Sequence, residues 1–389
     1  REERTGFKAG ALQAALAQTK GDIVVLFDAD FVPPRDYLRR VVPFFTADPD
    51  LGCVQTRWEH LNRDYSLLTR AQALALDGHF AVEQVARNRA GLFMSFNGTA
   101  GAWRRACIED SGGWQGDTLC EDLDLSYRAQ LRGWQFLFLP EVAAPAELPA
   151  QVTAFKRQQF RWAKGSVQVL LKLGGAVLRA QRPWWVRLGG LLHLSGYLVH
   201  PLMLAFLLLS LPLFLWKGRL PLPFAFLGLA SVGPPLLYAL GQWTLRPVPR
   251  LWWQGYRALP ALMALGVGIA WNNTVAVLEA LWGRPTPFRR TPKFNLAGRA
   301  GDWRGSRYAL RPGWTSLVEA CLGFYALGVV WAALRAGNWL AVPFFALYAW
   351  GFFYVSLADL LRSHAGRKAG PRLTLSLPSA PSLPARKVG

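Results

Sequence analysis

At 389 residues the chain is long enough for two or three domain-sized units, and 44 Lys+Arg against 24 Asp+Glu give it a formal charge of +20. The basic residues cluster between and after long apolar blocks, where the positive-inside rule and anionic lipid account for them. Membrane lipid is therefore an expected partner and nucleic acid is not, and the apolar blocks exclude a soluble nucleic-acid binder.

The composition is not uniform. Residues 1–165 mix charged, polar and apolar groups as a soluble α/β domain does, whereas Leu, Ala, Gly, Phe and Trp dominate from about Trp184 to Leu361. Many of the 18 tryptophans fall near the ends of the apolar blocks, as in the aromatic belts of a bilayer interface. Cys53, Cys107, Cys120 and Cys321 form no CxxC and have no His at metal-ligand spacing, so they read as reduced thiols. The chain opens on "REERTGFKAGAL" without a Met, in what reads as the middle of a domain.

In chain order, "FKAGALQAALAQ" has helix formers at helical spacing. "KGDIVVLFDADFVPP" is a short apolar run, Ile23 to Phe27, that ends in acids and a Pro-Pro break: a buried strand leading into a loop, where α/β folds place their ligands. "RDYLRRVVPFFTADP" reads as a helix, "GCVQTRWEH" as a strand, and Leu67 to Arg89 as a long helical stretch. "GLFMSFNGTAGAWRR" is a strand and turn opened by Asn97-Gly98, "LDLSYRAQLRGW" a helix ending at Gly133, and "QFLFLP" a further strand. Strands alternating with helices predict a mostly parallel sheet covered on both faces.

Beyond Pro149, residues 151–187 form an amphipathic, basic segment suited to a membrane surface. Within 188–361, four blocks are long enough to cross about 30 Å of hydrocarbon: 188–213, 222–243, 315–335 and 339–361. The block Ala258 to Trp271 is shorter than the roughly 20 residues a straight crossing needs. Four spans keep the basic loop 283–313 and the basic tail on one side, so 258–282 reads as re-entrant or interfacial. The Pro/Ser-rich tail 362–389 reads as disordered and cytosolic.

Three short motifs carry chemistry. Asp28 and Asp30 form D-x-D at a strand end, able to hold Mg²⁺ or Mn²⁺ through oxygen ligands against a phosphate; alone, such a pair is as readily a solvated surface pair. Glu121 and Asp122 precede an apolar-periodic helix, where a carboxylate serves as N-cap or as a general base. Gln158, Arg161 and Trp162, at i, i+3 and i+4, share one helical face; they suit a diphosphate and a sugar ring, or a snorkelling Arg and an interface Trp. Asp124 reads as a helix-start residue and Asp117 as a solvated loop acid.

In this order and spacing, ahead of membrane spans, D-x-D, C-E-D and Q-x-x-R-W resemble the family-2 inverting glycosyltransferases of the membrane-bound, cellulose synthase-like kind, most like their bacterial and plant β-mannan (glucomannan) and glucan synthase branch. "GFKAGAL", "FNGT" and "FRRTPKF" resemble further segments of that family, and the likeness runs from Arg1 to about Phe294. It implies an α/β nucleotide-sugar transferase domain of GT-A-like fold over residues 1–150, followed by the interface segment and an α-helical transmembrane bundle. It implies that Asp122, beside Glu121, deprotonates an acceptor hydroxyl for in-line attack at the anomeric carbon. It places Asp28 against the nucleotide, Asp30 on a divalent cation and the diphosphate, and Lys8 near the nucleotide. Gln158, Arg161 and Trp162 would hold the diphosphate and the terminal acceptor sugar, and Asn97 and Gly98 would shape the acceptor side.

Cys120 departs from the Thr usual in that family, and the family's first nucleotide-binding strands and an N-terminal span would lie upstream of Arg1. The expected partners are a nucleotide-sugar donor, UDP-glucose or GDP-mannose, and a polysaccharide acceptor or, alternatively, a lipid acceptor. The expected location is a bacterial-type inner membrane, with the catalytic domain cytoplasmic. Trp271, Asn272 and Asn273 are candidates to line a path for a polymer. The competing class is a transporter or scaffold with a degenerate catalytic domain, which predicts no donor turnover.

Overall fold

The structure, a computed structural model, describes residues 5–217, 232–304, 306–311 and 313–367. Helix α1 (Phe7–Gln18) leads into strand β1 (Ile23–Leu26), helix α2 (Tyr37–Ala47) and strand β2 (Leu51–His60). The long helical stretch resolves into α3 (Leu67–Gly78), one π-helical turn (His79–Glu83) and α4 (Gln84–Arg89). Strand β3 (Gly101–Arg104), helices α5 (Arg105–Asp110) and α6 (Glu121–Leu131), and strand β4 (Gln135–Ala146) complete the α/β part.

The sheet order is β1-β3-β2-β4. Only β2 and β4 pair in parallel, from Leu51↔Gln135 to His60↔Ala146; β3 is antiparallel to both β1 and β2. The mostly parallel sheet expected from the alternation of elements is therefore corrected to a mixed one. Strands β1, β2 and β4 do run in one direction. The segment before β3 reverses through Gly98 and Ala100, both at positive φ, and inserts a short strand between them in the opposite sense.

Both faces of the sheet are covered, as expected. Trp103 and Cys53 point into one core with Ala9 and Leu16 of α1 and Leu125 and Ala129 of α6, while the alternate residues Ala102 and Val54 pack against Tyr37, Val41 and Phe45 of α2. This arrangement brings the C-terminal end of β1 and the 97–100 turn to the same sheet edge, since Leu26 pairs with Gly101.

Next comes α7 (Val152–Arg179), then α8 (Trp184–Ser195) and α9 (Val199–Lys217), which together give the apolar run Trp184–Trp216. The remaining α-helices among the described residues are α10 (Gly233–Leu245), α11 (Pro249–Tyr256), α12 (Leu259–Gly268), α13 (Ala270–Leu281), α14 (Thr315–Arg335) and α15 (Ala341–Arg367). Among the described residues, Trp184–Trp216, Thr315–Arg335 and Ala341–Ala358 are long and apolar enough to cross a membrane. Pro249–Gly268 and Ala270–Leu281 meet at a 43° bend, the geometry of a broken span or a re-entrant segment. The span expected at 222–243 falls partly on residues 218–231, outside the described residues, and its described remainder is the first part of α10. The tail expected from 362 begins as helix, because α15 continues to Arg367; residues 368–389 lie outside the described residues.

Trp184, Trp216, Trp282, Trp314 and Trp339 are exposed at or next to helix ends, in the manner of an interfacial belt. Helix α7 does not lie free on a surface. It buries one face, including Lys156, Ala163, Lys164, Gly165 and Val167, between α6 and α13.

Candidate active site

The 97–100 turn is held from behind by the sheet. Gln55, buried on β2, accepts a hydrogen bond from Asn97 N–H (2.8 Å) and donates to the carbonyls of Thr99 (3.2 Å) and Ala100 (3.0 Å). Thr99 Oγ1 accepts from the backbone N–H of Asp28 at 2.8 Å, which ties the turn to the D-x-D loop. Gly98 has φ +82°, a region that favours glycine, and its α-carbon is where the site closes.

Four of the expected residues meet there. Lys8, in the first turn of α1, donates to Asp28 Oδ1 and to the Gly98 carbonyl, each at 2.8 Å. Asp122 lies across the turn: a β-carbon built on Gly98 would come within 2.6 Å of its Oδ2. The other carboxylate oxygen, Oδ1, accepts from the Leu123 N–H at 2.8 Å. Helix α6 begins at Glu121, with Cys120 as its N-cap residue and no side-chain cap, so Asp122 stands inside the first turn and is not the capping residue.

Burial raises the pKa of Asp122, opposed by Lys8 and by the backbone hydrogen bond from Leu123. Burial, with the neighbouring Asp122 charge, pushes Glu121 up to about 7, against the pull of Lys8. Lys8 itself is lowered by its own burial, but the charge and hydrogen bond of Asp28, with Glu121 and Asp122 behind them, outweigh that and raise it overall. The result is a pair of buried carboxylates whose pKa values are both raised, beside a lysine that keeps its charge. That combination suits proton abstraction.

Arg161 approaches from α7. Its guanidinium lies 4.6 Å from the Phe288 ring centroid and donates to Thr291 Oγ1 at 3.2 Å; burial lowers its pKa, and Glu121, Asp122 and Asp28 partly restore it. Phe288 also stacks on Phe7 at 5.6 Å. Gln158 and Trp162 lie half-buried on the same helix as Arg161. A cavity of about 190 Å³ at Glu121 has a mixed polar and apolar lining that includes Lys8, Asp117, Thr118, Gln168, Thr286 and Phe288.

Asn97 sits apart from this cluster. Its side chain accepts from Gln84 (2.7 Å) and lies 3.2 Å from His79 Nε2 in the π-helical turn, so it braces the loop. Asp30 is 2.8 Å from Lys293, whose own contacts reach the Glu147 carbonyl; the Glu147 carboxylate takes the Phe294 N–H at 2.9 Å. The 283–294 stretch thus covers the D-x-D loop. Phe288, Thr291 and Lys293 carry no sequence signal for these contacts, since nothing in the chain order places them near Asp30 or Arg161. Asp124 is fully buried and bridges Arg128 (2.7 Å) and Lys172 of α7 (2.9 Å), more than a helix start requires; Asp117 also pairs with Lys172 at 2.8 Å.

Cys120 is buried where α7 crosses α6. Its thiol lies 3.7 Å from the Arg161 carbonyl, and burial raises it well above the usual thiol range. The other described cysteines are also free thiols, as expected.

Asp28 and Asp30 are hard oxygen donors suited to a divalent cation, but each faces a lysine. Among the described residues, no group of three or more His, Cys, Asp or Glu could hold a metal ion by itself. The pair therefore fits a cation whose remaining positions are filled by phosphate oxygens and water.

Residues 1–165 match the model of "Glycosyltransferase like family 2". They form a family-2 glycosyltransferase domain. That domain has the α/β arrangement described above, with a mixed sheet. The chain is 45% identical over 185 residues to "Glucomannan 4-beta-mannosyltransferase 2" of Arabidopsis thaliana, covering 47% of this chain and 35% of that one. It is 36% identical over 255 residues to "Glucomannan 4-beta-mannosyltransferase 1" of Oryza sativa subsp. japonica, covering 62% and 49%. The chain thus spans between about a third and a half of the length of these relatives. Among solved structures, it is similar to "Mannosyltransferase PcManGT from Pyrobaculum calidifontis in complex with GDP-Man and Mn2+", with a TM-score of 0.46 and 22% identity over 73% of this chain and 69% of that one.

Proposed function

We propose that the protein is a membrane-bound inverting glycosyltransferase that moves a hexose, mannose in the first place, from a nucleotide sugar onto a growing β-linked polysaccharide. The observation that carries this reading is the convergence of Lys8, Asp28, Gly98 and Asp122 at one sheet edge of a family-2 domain, with Arg161 arriving from α7. Mannose is preferred to glucose because the relatives named above are mannosyltransferases of glucomannan.

In this mechanism Asp122 takes the proton of the acceptor hydroxyl. The freed oxygen attacks the anomeric carbon as the bond to the diphosphate breaks on the opposite face, so an α-linked donor gives a β-linked product. Asp122 is anchored for this by the Leu123 N–H, and its raised pKa makes it a stronger base than a solvated aspartate. Glu121 holds a second proton site beside it. Lys8 and Arg161 face the negative charge that builds on the departing nucleoside diphosphate. A divalent cation, Mg²⁺ or Mn²⁺, held by Asp30 with Asp28 beside it, would neutralise diphosphate charge. Gln158 would meet the diphosphate beside Arg161 and Trp162 the acceptor end, and Asn97 would fix the turn that Gly98 presents to it.

Loop 283–311 joins two membrane-facing helices yet packs on the catalytic domain, through Lys293 to Asp30 and Thr291 to Arg161. Its many arginines favour the cytoplasmic side, so we place the catalytic domain there in a multi-pass membrane protein. The plant relatives give no support to a bacterial inner membrane in particular.

The test is to incubate the full-length protein in nanodiscs with labelled GDP-mannose or UDP-glucose and a divalent cation, and to size the products. Long mannanase-sensitive polymer from GDP-mannose is expected. Polymer from UDP-glucose alone would change the donor, a single sugar on extractable lipid would replace polymer synthesis by glycolipid synthesis, and no transfer from either donor would end the reading.

A further inference from the structure

Two ion pairs straddle the Gln158-Arg161-Trp162 segment of α7, one buried on both sides and one that joins a buried lysine to a partly exposed glutamate. On its N-terminal side, Lys156 Nζ lies 2.5 Å from Glu319 Oε1 of α14 and donates to Thr315 Oγ1 at 3.3 Å; the two side chains are 8% and 0% exposed. The Lys156 carbonyl also accepts from Asn272 of α13 at 3.0 Å. On the C-terminal side, Lys164 is fully buried. Its Nζ lies 2.8 Å from Glu279 Oε2 of α13, donates to the Arg284 carbonyl at 2.6 Å, and contacts Thr286, which itself donates to Glu279 at 2.8 Å.

These contacts reach the transfer site. Lys164 fixes the start of the stretch that continues through Phe288 and Thr291, the two residues against the Arg161 guanidinium. Lys156 fixes the preceding turn of the same helix against α13 and α14. The height and rotation of Arg161 are thereby set by two acids that belong to the membrane-embedded half of the molecule.

Pairs that take a lysine out of water in this way are poor sources of net stability. Desolvating both ions costs about as much as their attraction returns, and apolar replacements of similar volume are often neutral. What a buried pair supplies is register: the two helices fit in one relative position, because any slip strands a charge in a low-dielectric interior.

From this we infer that Lys156 and Lys164 are positioning residues for glycosyl transfer, locking the Gln158-Arg161-Trp162 helix to the membrane helices through Glu319 and Glu279. The inference rests on the proposed function for its catalytic readout, and has a second readout that does not.

The experiment replaces each pair by apolar residues, K156M with E319L and K164M with E279L, in full-length protein in nanodiscs. Hydrogen exchange over residues 157–163 and 284–294 and the melting temperature are measured first. Melting temperatures close to the parent's, with faster exchange in those two stretches, are expected. Unchanged exchange in both variants would overturn the inference whether or not the protein proves to transfer sugar. Kinetics with GDP-mannose follow: a loss in kcat of about ten- to hundred-fold, with donor KM nearly constant, is the mark of a misplaced Arg161. A fall in melting temperature with kcat retained would make the pairs structural only and would also overturn it. A parent that transfers nothing would count against the proposed function, leaving the exchange result to decide the role of the lysines.

Discussion

Gly98 and Asp122 are in contact across the mouth of the site: a β-carbon on Gly98 would fall 2.6 Å from Asp122 Oδ2 and 3.6 Å from Lys8 Nζ. The glycine is required twice over, by its φ of +82° and by the carboxylate that occupies the space a side chain would need.

Gly98→Ala should therefore damage chemistry more than folding. The left-handed backbone costs about 1–3 kcal/mol, whereas displacing the Asp122 carboxylate by even about 1 Å is expected to lower transfer about a hundred-fold. Transfer rate and melting temperature of the variant, measured side by side, check this. A normal rate in a folded variant would remove Asp122 from contact with the acceptor.

The carboxylate pair predicts two pH effects. Lys8 opposes the raised pKa of both Asp122 and Glu121, so Lys8→Met should move the acidic limb of the rate profile to higher pH. An unmoved limb would mean that another group controls it. Stability follows the sign of the Glu121 shift, from an ordinary 4.5 to about 7. The folded protein holds this proton more tightly than the unfolded chain. The contribution is thus complete below the ordinary carboxylate range and is lost as pH rises through about 7. Glu121→Gln should flatten that decline in melting temperature between acid and neutral pH.

Helix α7 is seated on the start of α6 through a glycine. A β-carbon on Gly165 would collide with Cys120 Sγ and come within 2.8 Å of the Cys120 backbone nitrogen. Gly165→Ala is expected to cost about 1–3 kcal/mol and to lower transfer, because Glu121 and Asp122 follow directly. Adding Cys120→Ala should recover part of the loss, a coupling that a double-mutant cycle measures.

Much of the fold was legible in the chain itself. The helix formers of "FKAGALQAALAQ" mark α1 at its observed bounds, the apolar run before Asp28 marks β1, and the block expected at 315–335 is α14. Neighbourhood of the candidate residues was legible wherever they share one element, as with Asp28 and Asp30, or Gln158, Arg161 and Trp162. What could not be read is pairing between distant segments. The insertion of β3 depends on a reversal at Gly98 and Ala100 that periodicity does not encode. Lys156 and Lys164 belong to a segment that reads only as amphipathic and basic, and folding of α13 and α14 against it brings Glu279 and Glu319 to them. Lys293 likewise looked like one more loop cation until folding set it beside Asp30.

The two carboxylates of the D-x-D loop cannot enclose a cation unaided, and each already faces a lysine. Mn²⁺ binding, followed by electron paramagnetic resonance, should be weak in the absence of nucleotide and at least about ten-fold tighter with GDP, whose oxygens complete the coordination. The enhancement should be lost in Asp30→Asn. Equal affinity with and without GDP would place the cation elsewhere.

The proposed mechanism stands on Asp122 as the base for transfer from a nucleotide sugar. It is tested most directly by single-turnover transfer of labelled mannose from GDP-mannose in the full-length parent and in Asp122→Asn, which keeps the acceptor oxygen for the Leu123 N–H. A folded variant that still binds GDP but transfers at least about a hundred-fold more slowly, the usual worth of a general base, is expected. Transfer at the parent's rate by that variant would contradict it.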